Sequence, residues 1–338
     1  MQRSDKVYII ILNYNSWQDT IECLESVLRN DYNNYQVIVV DNNSTDDSLE
    51  NLLRWVRGTQ SNWVNPGNPL RDYSCPAVDK PLEHIVCSDD IDKSDEELGL
   101  DHSSDCINSW PIVFIRAEKN GGFAAGNNIG IKYALKKGDF AFIWLVNNDT
   151  VIKRDALSNL VCYAKNYFFD LTGSALMYYQ FPHKVQALGG HVNRFSAATS
   201  HILVPGEINA GLDYIIGASL LVTEKVIRNN GLLPEDYFLY YEEVDYCFSA
   251  KKRGFKLGVC LDSIVYHKVW GSQHGPDRYE RMLNLVLKNR IKFHRKYLGG
   301  GGFLWLGLLK PLIGKVLRGR FLEVLRFIKQ ELQSKRLS

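Results

Sequence analysis

No uninterrupted apolar run in the 338-residue chain approaches the roughly 20 residues that a membrane-spanning helix needs. The run at 303–309 is seven residues long and the one at 7–12 is six. The opening segment, MQRSDKVYIIILNYNS, also lacks a cleavage-site pattern, so the expectation there is a strand in a protein that stays in the cytoplasm. No CxxC pair occurs among the seven cysteines and their number is odd, which argues against a disulfide scaffold and for a reducing compartment. Cys23, Cys162, Cys247 and Cys260 stand among apolar neighbours, as small buried residues do, while Cys75, Cys87 and Cys106 share one unusual segment. No internal repeat is apparent, which sets repeat architectures aside.

A strong overall charge is absent too, but the net +2 hides an asymmetry. Residues 278–338 hold 15 Lys and Arg against 3 Asp and Glu, a net of +12, so residues 1–277 carry −10. Such a split suggests a basic tail that meets an anionic partner, a membrane surface or nucleic acid. Hydrophobic residues at 45% and charged residues at 23% are the balance of an ordinary globular protein.

The residues that are present read as an α/β fold. Residues 7–12 and 36–40 are continuous apolar runs, as strands buried on both faces are. Helical spacing follows each, at Ile21, Leu24 and Leu28 within 19–29, and again over 48–56. The alternation implies a mostly parallel sheet flanked by helices. It breaks over 58–110, where residues 72–105 carry 11 acids and 2 bases, read as an insertion that is a flexible excursion. Strands are expected again at 111–117 and 140–146 with a helix at 125–136 between them, then an apolar stretch at 213–222 and a strand near 256–260. The expected domains are 1–277, containing the acidic insertion, and a basic helical region 278–338, interrupted by the glycines at 299–302.

In an open parallel sheet, ligands sit beyond the carboxyl ends of the strands. Four consecutive strands here end in polar residues: Asn13, Tyr14 and Asn15; Asp41, Asn42, Asn43, Ser44 and Asp46; Asn120, Gly121, Gly122, Phe123, Gly126, Asn127 and Asn128; and Asn147, Asn148 and Asp149. Any one set is ordinary turn chemistry; four together point to a ligand site.

The segments VYIIILNYNSWQDTIECLESV, VIVVDNNSTDDS, KNGGFAAGNNIGIKYAL, WLVNNDT, LPEDYFLYYEEVDYCFSAKKRGF and VYHKVWGS, in this order and spacing, resemble family-2 glycosyltransferases of the GT-A fold. The likeness is to the bacterial rhamnosyltransferase-like branch that assembles cell-surface polysaccharides, and it covers about 6–56 and 111–297. It implies inverting transfer of a sugar from a nucleotide-diphosphate donor, a dTDP- or UDP-sugar with dTDP-rhamnose among the options, to a hydroxyl of a lipid-linked saccharide. Asp41 is then the acceptor for the N3–H of uracil or thymine. The backbone at Asn13 and the side chain of Asn15 bracket base and ribose, with Asn43 beside Asp41 at the end of the second strand, and Asn127 bonds phosphate or ribose. Gly121 and Gly122 let the backbone approach the donor, and Gly217 and Ala218 line its sugar.

Asn147, Asn148 and Asp149 occupy the place of the family's DxD metal motif, with Asn in place of the first carboxylate. The resemblance implies a divalent metal, Mg2+ or Mn2+, with Asp149 as ligand and Asn147 and Asn148 as nucleotide contacts. His267 matches a family histidine that completes the coordination; a satisfied structural histidine is the other reading. Glu243 aligns best with the catalytic base, Glu242 next, and Asp245 as an orienter. The plain alternative is a solvated helix N-terminus stabilised by acids.

In the tail, apolar anchors beside many cations suit a helix lying in an anionic headgroup layer, placing the protein peripherally on the inner face of the cell membrane. Helices packed on the catalytic domain are the alternative. The lone Trp305 offers no stacking platform, so no nucleic-acid partner is expected. Two other classes stay in play: a non-catalytic sugar-nucleotide-binding scaffold, disfavoured by the intact acidic cluster, and a nucleotidyltransferase, which would want a basic glycine-rich loop where NYNS stands.

Overall fold

The computed structural model describes residues 5–62, 64–89, 111–268, 276–300 and 302–334. Twelve strands are assigned among them: β1 (Val7–Asn13), β2 (Tyr35–Asp41), β3 (His84–Ser88), β4 (Ile112–Arg116), β5 (Phe142–Asn147), β6 (Thr150–Ile152), β7 (Leu171–Tyr178), β8 (Val185–Ala187), β9 (Gly190–Val192), β10 (Thr199–His201), β11 (Ser219–Thr223) and β12 (Leu257–His267). The α-helices are α1 (Trp17–Val27), α2 (Ser48–Val56), α3 (Gly122–Lys137), α4 (Ala156–Tyr167), α5 (Glu224–Asn230), α6 (Glu242–Lys252), α7 (Pro276–Leu298), α8 (Gly302–Leu317) and α9 (Phe321–Ser334).

The main sheet runs β3-β4-β2-β1-β5-β11-β7-β12-β6, with β8 beside β7. Its first five strands are mutually parallel, β7 is parallel to β12, and β11 runs against both of its neighbours. The expected mostly parallel, helix-flanked sheet is therefore present. Alternate residues explain why the β1 run is apolar throughout. Val7, Ile9 and Ile11 join the core shared with Leu24, Val27, Leu52 and Trp55 of α1 and α2. Ile10 and Leu12 face α3 instead: a Cβ on Gly126 would stand 2.4 Å from Leu12 Cδ1, and one on Gly130 2.8 Å from Ile10 Cγ2. Two glycines one helical turn apart thus let α3 lie almost on the β1 backbone.

Two expectations change. The acidic segment is in part built into the sheet: β3 pairs in parallel with β4 and forms the edge strand. Residues 90–110 lie outside the described ones. Cys162 is exposed on α4 rather than buried, because Leu157, Leu160, Val161 and Ala164 take that helix's inner side; Cys23, Cys247 and Cys260 are buried. No disulfide is formed among the described cysteines, which exclude Cys106.

The chain divides into two compact units, one of residues 1–191 and 200–278, the other of residues 192–199 and 279–338. The second has its own core, in which Leu287 and Ile291 of α7, Leu304, Leu308 and Leu312 of α8, and Val324 and Phe327 of α9 are buried. Pro311 lies inside α8, so the Gly307 carbonyl one turn back has no helical N–H to accept from. The Arg290 guanidinium fills that vacancy, Nη2 donating to Gly307 O at 3.1 Å, while its Nε donates to Ser196 O at 2.7 Å. Lys315, 1% exposed, sits 2.9 Å from Glu280 and 3.3 Å from Glu323. Arg318 pairs with Glu280 and Arg320 with Glu323. No helix among the described residues is long and apolar enough to cross a membrane.

Candidate active site

The polar strand ends converge at the carboxyl edge of the parallel half-sheet, where β1 has β2 on one side and β5 on the other. Asn13 and Asp41 are opposite each other in the β1–β2 register, and the Asn13 amide donates to Asp41 Oδ1 at 2.8 Å. Ser44 closes the turn: its hydroxyl donates to the same oxygen and its N–H to Asp41 Oδ2 at 3.1 Å. Asn13 Oδ1 accepts from the Thr20 hydroxyl, which in turn accepts from the Asn148 amide at 3.0 Å. Asn15, at φ 51°, accepts from Thr45 N–H and donates to its hydroxyl. Asn13, Asn15, Asp41 and Asn148 thus form one network. Asn13 has its side chain fully used within it, whereas Asp41 Oδ2 keeps capacity for a further donor. Asn43 completes the turn through its N–H to Asp41 O at 2.8 Å.

Asp149 and His267 meet because β6 runs antiparallel to β12 with His267 opposite Thr150. His267 Nε2 lies 3.1 Å from Asp149 Oδ1 and 3.5 Å from the Asn147 amide. On the far side of the ring, Nδ1 lies 2.9 Å from Gln186 Oε1, a contact that orients the imidazole with Nε2 toward the carboxylate. Burial works to raise the Asp149 pKa, but His267 and then Lys268 outweigh it and hold the carboxyl below its usual range. Lys268 is itself gripped by Asp19 at 2.6 Å and Glu22 at 2.5 Å; burial opposes its charge, yet these acids raise its pKa.

These residues fit a divalent cation. Two adjacent ligands of an octahedral ion, each about 2.1 Å from it, are about 3 Å apart, and the Oδ1 to Nε2 separation is 3.1 Å. Carboxylate oxygen and imidazole nitrogen are also the donor types that Mg2+ or Mn2+ accepts. Among the described residues no cluster of three or more His, Cys, Asp or Glu is placed for a metal.

The acidic cluster opens α6. Tyr240 and Tyr241 both adopt left-handed backbone, φ 70° and 74°, an arrangement that β-carbon sterics disfavour and that the surroundings must enforce. It starts the helix at Glu242 and Glu243. Asp245 is buried and accepts from the Tyr237 hydroxyl at 2.9 Å, so it anchors the preceding loop. Glu242 and Glu243 each have one buried oxygen with no hydrogen-bond partner. Burial pushes Glu243 up to about 7 and, with the Glu243 charge, Glu242 well above the usual carboxylate range. Both carboxyls are therefore harder to ionise than an exposed glutamate, and a charge on one opposes a charge on the other.

Gly217 borders this acid: a Cβ there would lie 3.7 Å from Glu243 Cβ and 3.3 Å from the Phe123 ring. Ala218 is a core residue whose carbonyl accepts from Asn147 N–H at 3.1 Å, tying the acidic cluster to the Asn147 end of β5. Gly122, φ 85°, has room for no side chain, since a Cβ would stand 2.0 Å from Phe238 O. Gly121 and Gly122 are braced by Asn42, whose side chain accepts from Gly121 N–H and donates to Gly122 O. Asn127 stands apart: it is buried and its amide donates to Phe123 O within α3.

Thr20 and Gln186 were not read from sequence, and Asn42 and Asn128 stood in the polar strand-end sets without a role of their own. All four act by holding other residues; Asn128, for example, grips Leu233 and Glu235 in the loop before α6. Position beside Asp41 was a usable signal for Asn42. Gln186 had none.

A sheet whose polar strand ends, paired Asp and His, and buried glutamates gather at one edge is the setting in which the family assignment falls. The model of glycosyl transferase family 2 matches residues 8–63 and 74–201, more than half of the chain, and the chain belongs to that family. It is similar to a low-salt glycan biosynthesis hexosyltransferase, Agl10, of Haloferax volcanii, at 23% identity over 59% of this chain and 66% of that one. It is also similar to a dTDP-rhamnosyl transferase, RfbF, of Shigella flexneri, at 23% identity over 51% of this chain and 62% of that one. The alignments thus span less than two thirds of either relative. Among solved structures, a mannosyltransferase from Pyrobaculum calidifontis in complex with GDP-Man and Mn2+ superposes with a TM-score of 0.51 and 14% identity, covering 87% of this chain and 65% of that one. GalNAc-T7 with UDP, GalNAc and Mn2+ gives 0.54 and 14%, covering 87% and 48%. These likenesses establish a GT-A-like fold.

Proposed function

We propose that the chain is an inverting glycosyltransferase that moves a sugar from a nucleotide-diphosphate donor to an acceptor hydroxyl, with Glu243 as the base. The observation that carries this reading is a carboxylate with an unpartnered buried oxygen and a pKa near 7, bordering Gly217 and Phe123. Glu243 takes the proton as the acceptor oxygen bonds to the anomeric carbon and the bond from that carbon to the nucleoside diphosphate breaks. Glu242 stands beside it with its pKa raised by burial, and Asp245 fixes the loop through Tyr237. Asp41 Oδ2 receives the base N–H, which favours a pyrimidine donor. Asp149 and His267 would hold a divalent ion, which when bound neutralises the departing diphosphate.

Within this reading the donor is a dTDP- or UDP-sugar; the likeness to the Shigella dTDP-rhamnosyl transferase supports dTDP-rhamnose. The acceptor is a lipid-linked saccharide met at the cytoplasmic face of the membrane, which gives the basic tail a purpose. Glu243→Gln is expected to abolish transfer while leaving nucleotide binding intact. Full transfer by that variant would remove Glu243 as the base. Hydrolysis of a donor by the purified protein would exclude a mere scaffold, and a panel of nucleotide sugars scored by thermal shift selects the donor, since only bound ones stabilise the fold. EDTA is expected to stop turnover; undiminished rates would give Asp149 and His267 another role.

A further inference from the structure

The helical hairpin formed by α8 and α9 is apolar on the side its own core does not use. Leu304, Leu308 and Leu312 turn inward, and Lys315 continues their line. A helix covered on one side ordinarily carries polar residues on the other. In α8 that other side presents Leu309, Ile313, Val316 and Leu317, spaced as one helical face, with Leu317 82% exposed. The pattern repeats in α9, where Val324 and Phe327 are buried while Phe321, Leu322 and Leu325 are exposed, Leu322 at 67%. Only the turn at 318–320 separates the two helices in sequence. Scattered apolar residues on a surface need no explanation, but seven large exposed ones on one face each of two successive helices mark an interaction site.

Charge identifies what covers it. Arg326 and Lys329 are exposed and, by helical spacing, share the α9 face of Leu322 and Leu325. The acid of α9 whose side chain is described, Glu323, is turned to Lys315 and Arg320. Leucines and cations on one face, with Glu323 withdrawn, complement a layer that is apolar within and anionic above. A second copy of the chain would cover the leucines but would bring its own cations against these.

We propose that the exposed face of α8 and α9 lies in the interfacial layer of an anionic membrane, the leucine strip at the acyl boundary and Arg326 and Lys329 at the headgroups. This rests on the membrane contact proposed above and assigns it to residues. It also removes Lys315, Arg318 and Arg320 from the binding charge, because their partners are within the unit.

The test is flotation of the full chain with phosphatidylcholine vesicles, with and without phosphatidylglycerol. The wild type is expected to float with the anionic vesicles and to lose binding as salt rises. Leu317→Asp with Leu322→Asp should weaken partitioning about tenfold or more. Arg326→Glu with Lys329→Glu should abolish the preference for phosphatidylglycerol while the protein stays folded. Wild-type flotation by the double leucine variant would overturn the proposal. So would a wild type indifferent to vesicles, or light scattering that shows these leucines joining two copies in vesicle-free buffer. Sugar transfer is read separately, so its absence beside intact flotation would sink the catalytic reading alone.

Discussion

A carboxylate that accepts a proton from a hydroxyl works best with its pKa near the working pH, and burial has moved Glu243 to about 7. The pH profile of kcat/KM should show an acid limb near 7, with about tenfold loss per unit below it; a flat profile down to pH 5 would be incompatible with this base. The same shift acts on stability with a definite sign. A carboxyl whose folded pKa lies above its unfolded value, 4.5, contributes stability below that value and loses it as pH rises through about 7. Glu243→Gln removes the ionisation, so its melting temperature relative to wild type should increase from pH 5 to pH 8. A difference that does not vary with pH would contradict the burial argument.

Individual residues are also where the sequence was least legible. Asn127 resembles a ligand in sequence because asparagine at a helix start is what a nucleotide site uses. Its amide donates to Phe123 O within its own helix. A side chain whose hydrogen bonds are filled internally has the same letter as one that is waiting for a substrate.

At the scale of elements, legibility was high wherever hydrophobic period decides: β1, β2, α2 and β5 fell close to their expected places. Direction was not legible, since the apolar pattern of β11 does not reveal that it runs against β5. Nor was β3, whose five residues sit inside an acid-rich segment and owe their strand to an open edge on β4. The glycines of α3 had a packing role invisible before the fold was known. Gly126→Ala should destabilise by about 1–3 kcal/mol through its clash with Leu12. Leu12→Ala in the same chain should recover part of that loss in a denaturant-melt cycle; strict additivity would mean the two do not touch. Because α3 begins at Gly122, the single variant should also weaken nucleotide binding.

For the whole molecule, two separate cores make a single cooperative transition the less expected outcome. Leu308→Ala should cost the second core about 2–5 kcal/mol and lower one calorimetric transition, leaving in place the one that nucleotide raises. A uniform shift of all unfolding would show a single cooperative body. The charge split, plain in the sequence, overstated the cationic face because it could not show which cations were already matched.

The Arg290 contact to Gly307 has a further consequence, for inheritance rather than energy. Pro311 creates the vacancy and Arg290 fills it, so neither substitution is neutral in the other's absence. A lineage that restored an N–H at 311 would relax selection on 290, and the two positions should change hands together. Their co-variation among descendants would record a hydrogen bond that lies 17 residues apart in the chain.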